Sequence, residues 1–225
     1  MPSLTVENYV KAIYQIGITQ SGQSAATGQL AAALGVSPGS VTSMLKTLSE
    51  SGLATYTPYE GVSLTVAGAA LALRVIRRHR LIELFLAKTL DLNWDEVHEE
   101  AEHMEHAVSD LLVDRIDAFL GHPHVDPHGD PIPRADGTLE SPEVRPLAAC
   151  KPGDGFRLAR VVDQSPQFLR FLTETGLSLG SEGWVTANRP EAGTVTIELS
   201  EGEATLAREA AEKLLVSASA GKSKA

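Results

Sequence analysis

Residues 27–65 constrain the fold of this chain more than any other segment. A short apolar helix is predicted over 27–34, ended by a glycine. Ser37-Pro38 then predicts a second helix, because serine is a favoured N-cap and proline is tolerated at the first helical position. Two short β-prone runs follow Gly52 and predict a hairpin. A helix, a short turn, a capped helix and a hairpin form a winged helix-turn-helix domain.

The second helix of such a domain enters the major groove of DNA, with its first turns nearest the bases. Hydroxyl groups can donate to phosphates or bases, and a helix N-terminus favours an anionic phosphate. This helix has no arginine and one lysine, so we expect low intrinsic affinity for phosphate. The alternative is that its small polar residues only cap and solvate an ordinary helix. The candidate DNA-contacting residues are Ser37, Pro38, Ser40, Thr42, Ser43 and Lys46.

The formal net charge of −10 argues against nucleic-acid binding, since such proteins normally carry a basic face. The charge is unevenly distributed, however. Residues 1–76 hold three basic and three acidic residues, whereas residues 77–120 hold five basic and eleven acidic ones. The acidic segment also contains four histidines, and carboxylates interleaved with imidazoles are what a divalent cation could neutralise.

Six candidate metal ligands lie within this acidic segment. On a continuous helix of 3.6 residues per turn, the spacing i, i+4, i+7 and i+8 places four ligands on one face. A second pair has the spacing i, i+4 on the preceding helix. The alternative is a solvated acidic helix face without metal. The first set is His98, Glu102, Glu105 and His106, and the second is His79 and Glu83.

A zinc-peptidase motif is excluded in this segment. His98-Glu99 begins like H-E-x-x-H, but Glu102 stands where the second histidine is required. The inverted motif fails as well, because Glu99 and Glu102 occupy the positions that its first histidine would need. A metalloenzyme is therefore the weaker hypothesis.

The composition of the chain after residue 121 indicates how its domains are organised. Prolines are frequent after residue 121, which predicts a tether with a strand-rich domain beyond it. The histidines at 122, 124 and 128 fall in this tether and are interpreted as accidental composition. We expect a winged helix-turn-helix domain at 1–73, a helical domain at 74–121, a Pro-rich tether at 122–147, a small β domain at 148–216 and a disordered tail at 217–225.

The single cysteine, Cys150, excludes an internal disulfide and a four-thiolate zinc site. No window approaches the roughly 20 apolar residues of a membrane helix, and the N-terminus does not resemble a secretory signal. The expected location is the cytoplasm, without a membrane partner.

Five segments resemble the diphtheria-toxin-repressor family of metal-dependent transcriptional repressors, which includes iron-dependent and manganese transport regulators. The resemblance covers most of the chain. It implies a mainly α fold with a small β component: a winged helix-turn-helix domain, a helical dimerisation and metal-binding domain, and a C-terminal SH3-like barrel. The segments are 7–14, 36–42, 79–83, 98–106 and 128–133.

The resemblance also implies two metal sites per subunit. In the regulatory site, Asn8 of the first helix joins Glu102, Glu105 and His106, with Lys11 where the manganese branch has an acid. In the ancillary site, His79, Glu83 and His98 are completed by the third domain. Its candidate ligands are Gln164 and Gln167, with Asp163 as a substitute for an acid that Gln164 replaces.

The resulting hypothesis is a repressor of metal-homeostasis genes. Mn²⁺ or Fe²⁺, with manganese slightly favoured, would act as corepressor and lock a homodimer onto a double-stranded DNA operator with inverted-repeat symmetry. Carboxylate ligands in place of a thiolate favour these hard ions. A metal-independent winged-helix regulator remains the alternative.

Overall fold

A computed structural model describes residues 3–20, 22–140 and 142–219. The described residues form two compact units. The first is built from Met1–His79, Glu105–Val108 and Pro133–Thr138, and the second from Arg80–Met104, Ser109–Ile132 and Leu139–Ala225. Among these residues, none of the helices combines the length and the apolar character needed to cross a membrane.

The first unit contains three helices followed by a two-stranded wing. Helix α1 spans Leu4–Thr19, α2 spans Thr27–Leu34 and α3 spans Pro38–Glu50. Strands β1 (Ala54–Thr57) and β2 (Gly61–Leu64) pair antiparallel. Helix α4 (Val66–Leu90) contributes its N-terminal part to this unit. This arrangement confirms the predicted winged helix-turn-helix.

Local sequence explains where α2 ends and α3 begins. Gly35 closes α2 with φ 64°, a left-handed conformation that glycine adopts without steric penalty. Ser37 is the N-cap of α3, and its hydroxyl accepts a hydrogen bond from the backbone N–H of Ser40 at 3.1 Å. Pro38 occupies the first turn of α3. The capping residues therefore set the turn between the two helices.

The core of the first unit lies between its helices and the wing. Leu30 of α2 and Val41, Leu45 and Leu48 of α3 are fully buried, together with Val10 of α1. The apolar face of α3 is thus turned inward, and its polar face is left at the surface.

The second unit combines helices with a six-stranded sheet. The C-terminal part of α4 is followed by α5 (Val97–Met104) and α6 (Asp110–Phe119). The strands are β3 (Arg145–Pro146), β4 (Gly155–Val161), β5 (Glu182–Arg189), β6 (Thr194–Leu199), β7 (Gly202–Ala207) and β8 (Leu214–Ala218). Their order is β3-β8-β4-β5-β6-β7, with every neighbouring pair antiparallel.

Two short helices complete the sheet domain. Helix α7 (Pro166–Glu174) buries Leu169 and Leu172 in the same core as Phe156 and Ile197 of the sheet. Helix α8 (Arg208–Glu212) lies between β7 and β8 in the chain. Helix α7 was not predicted, although Ser165-Pro166 repeats the start signal that predicted α3.

The interpretation of 98–106 as one helix is wrong. Helix α5 ends at Met104, and Glu105 and His106 lie in the turn before α6. Helical phase therefore cannot place these two residues on the face that carries His98 and Glu102. The turn belongs to the first unit, whereas α5 belongs to the second.

The segment predicted as a tether has fixed local structure around Asp126. Its Oδ1 accepts the backbone N–H groups of His128 and Asp130 at 2.8 and 2.9 Å. Gly129 has φ 85°, and a Cβ there would lie 2.0 Å from the carbonyl oxygen of Ala159, so only glycine fits. Asp126, His128 and Asp130 are buried. This part of 122–147 is therefore packed against the sheet domain.

The C-terminal tail expected from residue 217 overlaps β8, which runs to Ala218. Residues 220–225 lie outside the described residues, so the tail prediction cannot be compared there.

Candidate metal centres and DNA-binding helix

Among the described residues, each unit contains a cluster of metal-ligating side chains. The first, here called the α1 cluster, joins helix α1 to α4 and to the turn after α5. It is formed by Glu7, Asn8, Lys11, Arg78, His79, Glu105 and His106. Asn8, His79, Glu105 and His106 are ligands predicted from the sequence, and all four lie in this unit.

Glu7 orients the imidazole of His106. The Glu7 Oε2 atom lies 2.8 Å from His106 Nδ1, and its Oε1 accepts from Arg78 Nη1 at 3.4 Å. A proton held on Nδ1 by this carboxylate leaves the lone pair of His106 on Nε2. That nitrogen lies 3.1 Å from Glu105 Oε1 without forming a hydrogen bond. Two acceptor atoms facing each other so closely are suited to holding a cation, and carboxylate–histidine–metal arrays use this geometry.

Glu105 is the centre of the α1 cluster. It is fully buried and receives the ammonium of Lys11, whose Nζ lies 2.8 and 3.1 Å from its two oxygens. His79 Nδ1 lies 2.7 Å from Oε2, which fixes the His79 lone pair on Nε2. Burial raises the pKa of Glu105, but the hydrogen bond from His79 and the charge of Lys11 outweigh it and hold the pKa below its ordinary value. Glu105 is therefore an ionised carboxylate.

Asn8 contributes an unsatisfied oxygen. Its Oδ1 is buried and has no hydrogen-bond partner among the described residues. A buried amide oxygen without a donor is unfavourable by roughly 1–3 kcal/mol. A cation at this position would remove the penalty, so the residues of the α1 cluster fit a metal ion.

The second cluster, here called the Glu83 cluster, consists of Glu83, Asp126 and His128. All three are buried, and each offers one ligand atom within 4.8 Å of the others. His128 Nδ1 lies 4.0 Å from Glu83 Oε2. The interpretation of the tether histidines as accidental is wrong for His128, because it is enclosed with two carboxylates rather than exposed.

The tautomer of His128 is set by a backbone carbonyl in the segment between α4 and α5. Its Nε2 lies 2.7 Å from the carbonyl oxygen of Trp94 and donates to it. The lone pair is then on Nδ1, which has no hydrogen-bond partner among the described residues. A metal-binding histidine is commonly oriented by such a contact from its other nitrogen.

Asp126 lies among neighbouring carboxylates, whose charges are only partly offset by Arg80. Burial, followed by the charges of Glu83 and Asp130, raises its pKa well above the ordinary value, against the opposing charge of Arg80. Its Oδ2 has no hydrogen-bond partner among the described residues and lies 3.6 Å from Arg80 Nε. These groups fit a divalent cation, which would offset the repulsion between the carboxylates.

His98 and Glu102 extend the Glu83 cluster along α5. His98 Nδ1 lies 3.0 Å from Glu83 Oε1, and its Nε2 lies 4.0 Å from Glu102 Oε1. The side chain of His98 is 45% exposed, so this edge is open to water.

The structure places the three candidate ligands of the third domain in different surroundings. Asp163 Oδ2 accepts from Lys213 Nζ at 2.8 Å. Gln164 Nε2 donates to Asp130 Oδ2 at 2.6 Å, and Gln167 is exposed. Gln164 thus reaches a carboxylate beside the Glu83 cluster, whereas Asp163 is engaged in an ion pair.

The polar face of α3 carries the residues that the sequence predicts to contact DNA. Thr42 is half-buried, and its hydroxyl donates to the Pro38 carbonyl at 3.0 Å. The hydroxyls of Ser37 and Ser40 are 2.9 Å apart, so each already has a local partner. Exposed residues are Ser37, Pro38, Ser40, Ser43 and Lys46.

Sequence reasoning missed five contributors to these clusters: Glu7, Arg78, the ion pair of Lys11, Asp126 and His128. A local signal existed for the last two, since Asp126-Pro-His-Gly-Asp130 is typical of a tight turn. The contacts of α1 with Glu105 and His106 join residues 94 or more positions apart and have no local signal.

Three family descriptions match the chain in order. Residues 1–62 match the N-terminal DNA-binding domain of iron-dependent repressors. Residues 65–134 match their metal-binding and dimerisation domain, and residues 145–218 match the FeoA domain. Together they confirm the predicted fold class, including its small β domain.

Individual proteins agree with these matches. An uncharacterised HTH-type transcriptional regulator of Methanocaldococcus jannaschii is 35% identical over 52% of this chain and 94% of its own length. The diphtheria toxin repressor of Corynebacterium glutamicum is 32% identical over 79% of this chain and 82% of its own. A solved manganese-dependent transcriptional repressor in complex with manganese is 41% identical, with a TM-score of 0.85 over 95% of this chain and all of that one.

Proposed function

Because this chain belongs to the diphtheria-toxin-repressor family of metal-dependent DNA-binding repressors, we propose that a divalent metal gates its binding to an operator. The family consists of transcriptional regulators rather than enzymes. Mn²⁺ or Fe²⁺ is the proposed corepressor, and genes of metal homeostasis are the proposed targets. The proposed location of the protein is the cytoplasm. The observation that carries this proposal is the α1 cluster, in which a helix of the DNA-binding domain contacts His106 through Glu7 and Glu105 through Lys11. The same helix carries the buried oxygen of Asn8.

The first proposed metal is held by the α1 cluster. Glu105, His106 and Asn8 supply carboxylate, imidazole and amide ligands, and Glu102 is retained from the family resemblance. Glu7 does not need to bind the ion, since it orients His106. A metal bound here would tie α1 to the turn after α5 and so restrict the DNA-binding domain.

The second proposed metal is held by the Glu83 cluster. Glu83, Asp126 and His128 are the buried ligands, and His98 can approach from its exposed side. Two buried atoms that lack a hydrogen-bond partner among the described residues, His128 Nδ1 and Asp126 Oδ2, support this assignment. His79 retains its resemblance-based role as a ligand, with its lone pair on Nε2.

The donor set supports Mn²⁺ or Fe²⁺. Both clusters offer oxygen and imidazole nitrogen, which suit these ions. Cys150 is buried in the core of the sheet domain and so is not among either set of donors.

In the proposed mechanism, metal selects the DNA-competent conformation of a homodimer. Two α3 helices would then read half-sites about one turn apart, ~10 bp, in an inverted repeat. The metal stabilises this state only to the extent that it binds it more tightly than the open state. Ser37, Pro38, Ser40, Thr42, Ser43 and Lys46 are the proposed DNA-facing residues.

A titration of operator DNA tests this function. We expect Mn²⁺ or Fe²⁺ to increase DNA affinity by at least about tenfold, since allosteric couplings are typically 5- to 150-fold. Chelator should reverse the increase. The measurement is fluorescence anisotropy with a panel of divalent metals and parallel quantification of bound metal.

Matched variants sharpen that titration. His106→Ala and Glu102→Ala should abolish the metal-stimulated part, whereas His103→Ala on the exposed side of α5 should leave it unchanged. Equal loss in all three variants would contradict the assigned ligands.

One observation favours the metal-independent alternative. The ion pair between Lys11 and Glu105 already ties α1 to the turn after α5 without metal. If the chain binds its operator equally well in chelator, this ion pair replaces the metal and the proposed gating is wrong.

A further inference from the structure

Lys11 holds the place at Glu105 that a metal ion would need. The Lys11 side chain is 9% exposed and the Glu105 side chain 0%. Its Nζ contacts both oxygens of the carboxylate, at 2.8 and 3.1 Å. It also lies 3.3 Å from His79 Nδ1. The ammonium is therefore placed on both oxygens of Glu105, a proposed ligand of the first site.

The charges of the α1 cluster already balance in this arrangement. Glu7 faces Arg78, and Glu105 faces Lys11, so each carboxylate already has a cationic side chain beside it. Adding a divalent ion to a balanced, buried cluster is unfavourable, because like charges at short range repel strongly where water is scarce. Asn8 Oδ1, one turn before Lys11 on the same helix, has no hydrogen-bond partner among the described residues. The α1 cluster therefore contains an oxygen that could accept a cation, Asn8 Oδ1, and an ammonium group, Lys11 Nζ, that already contacts Glu105.

From this geometry we infer that Lys11 is a tethered competitor for the metal and sets the metal concentration at which the chain responds. Metal binding at Glu105 requires the ammonium to withdraw or to tolerate a divalent neighbour. Either way, Lys11 lowers metal affinity while it stabilises the metal-free state. The inference rests on the proposed function, since it concerns the same site.

A lysine that serves only the fold predicts a different result. Its removal would destabilise the metal-free and metal-bound protein alike, and metal affinity would not change. Competition instead predicts two effects of opposite sign: a less stable metal-free protein and tighter metal binding. The measurement of both quantities on one variant therefore separates the two roles.

The test compares full-length wild type with Lys11→Met, which keeps the length and apolar stem of the side chain. Mn²⁺ is the probe, free Mn²⁺ is followed by electron paramagnetic resonance, and thermal unfolding is recorded in chelator and in saturating Mn²⁺. We expect roughly ten- to hundredfold tighter binding, the size of a lost charged hydrogen bond. The melting temperature in chelator should fall, and the increase produced by Mn²⁺ should grow.

Three control variants locate the effect. Lys11→Arg keeps the charge and should bind Mn²⁺ as weakly as wild type. Lys88→Met removes an exposed lysine of α4 and should change nothing. Adding His106→Ala to Lys11→Met should cancel the gain, because the gain belongs to this cluster.

The outcomes distinguish this inference from the proposed function. Unchanged or weaker Mn²⁺ binding by Lys11→Met, with wild type binding normally, overturns the competition and leaves the metal response intact. Binding by Lys11→Met but not by wild type supports the competition and overturns the metal response of the natural chain. Failure of both proteins to bind overturns both.

Discussion

At the scale of residues, the chemistry depends on which nitrogen of each histidine is held by the protein. Glu7 holds Nδ1 of His106, and the Trp94 carbonyl holds Nε2 of His128. In each case the opposite nitrogen is left to face a carboxylate. Residue type alone predicted His106 but not these supporting contacts, since they arise from distant parts of the chain. His128 was misjudged because prolines nearby outweighed a turn signal in the same five residues.

His128→Ala tests the Glu83 cluster at this scale. Loss of the buried imidazole should weaken one class of Mn²⁺ site by about tenfold or more and leave the other class unchanged, since metal affinity is sensitive even to supporting groups at this level. Equilibrium dialysis with quantified metal measures both classes. His124→Ala is the matched control, because His124 lies four residues away with a side chain 69% exposed. The same loss in both variants would contradict the assignment.

At the scale of elements, the sequence predicted the helices whose ends are set by capping residues next to them in the chain. Gly35 and the Ser37-Pro38 pair set α2 and α3, and the structure confirms both. The end of α5 at Met104 has no such signal, because neither glycine nor proline occurs between 97 and 109. Long-range contacts of Glu105 with Lys11 and His79 accompany the end of the helix instead. Sequence periodicity therefore grouped Glu105 and His106 as candidate ligands for a reason that the structure does not support, since both lie beyond the end of the helix.

Lys46→Ala tests α3 as the DNA-reading element. Lys46 is exposed and is the basic residue of this helix, so its loss should weaken binding to all sequences to a similar degree. The slope of log affinity against log salt should become shallower by about 0.9 per subunit, as expected for one lost phosphate contact. Anisotropy titrations at several salt concentrations measure this slope. Lys88→Ala, at the end of α4, should leave it unchanged, and an unaltered slope for Lys46→Ala would exclude a phosphate contact.

At the scale of the whole molecule, the acidic balance supports conditional DNA binding. The first 76 residues are electrically neutral, and the excess of acid lies mainly in residues 77–120, which contain most of the proposed ligands. Two divalent ions per subunit would change the formal charge from −10 to −6, which is still acidic. Non-specific attraction to DNA is therefore weak in either state. Affinity must come from two correctly spaced α3 helices, so dimerisation matters more here than in a basic protein.

Helix α6 is the proposed dimer surface. Leu111 and Phe119 are eight residues apart on this helix, so they share a face, and they are 68% and 70% exposed. The helix also falls within the segment that matches a metal-binding and dimerisation domain. Leu111→Glu would bury a charge without a partner in such an interface, a penalty of several kcal/mol per ion. We expect a monomer by light scattering and loss of operator binding, because one subunit reads only one half-site.

Val162→Glu is the control. It places the same charge on another exposed apolar residue, 53% exposed in the sheet domain, and should leave the dimer intact. A Leu111→Glu protein that stays dimeric would place the interface elsewhere.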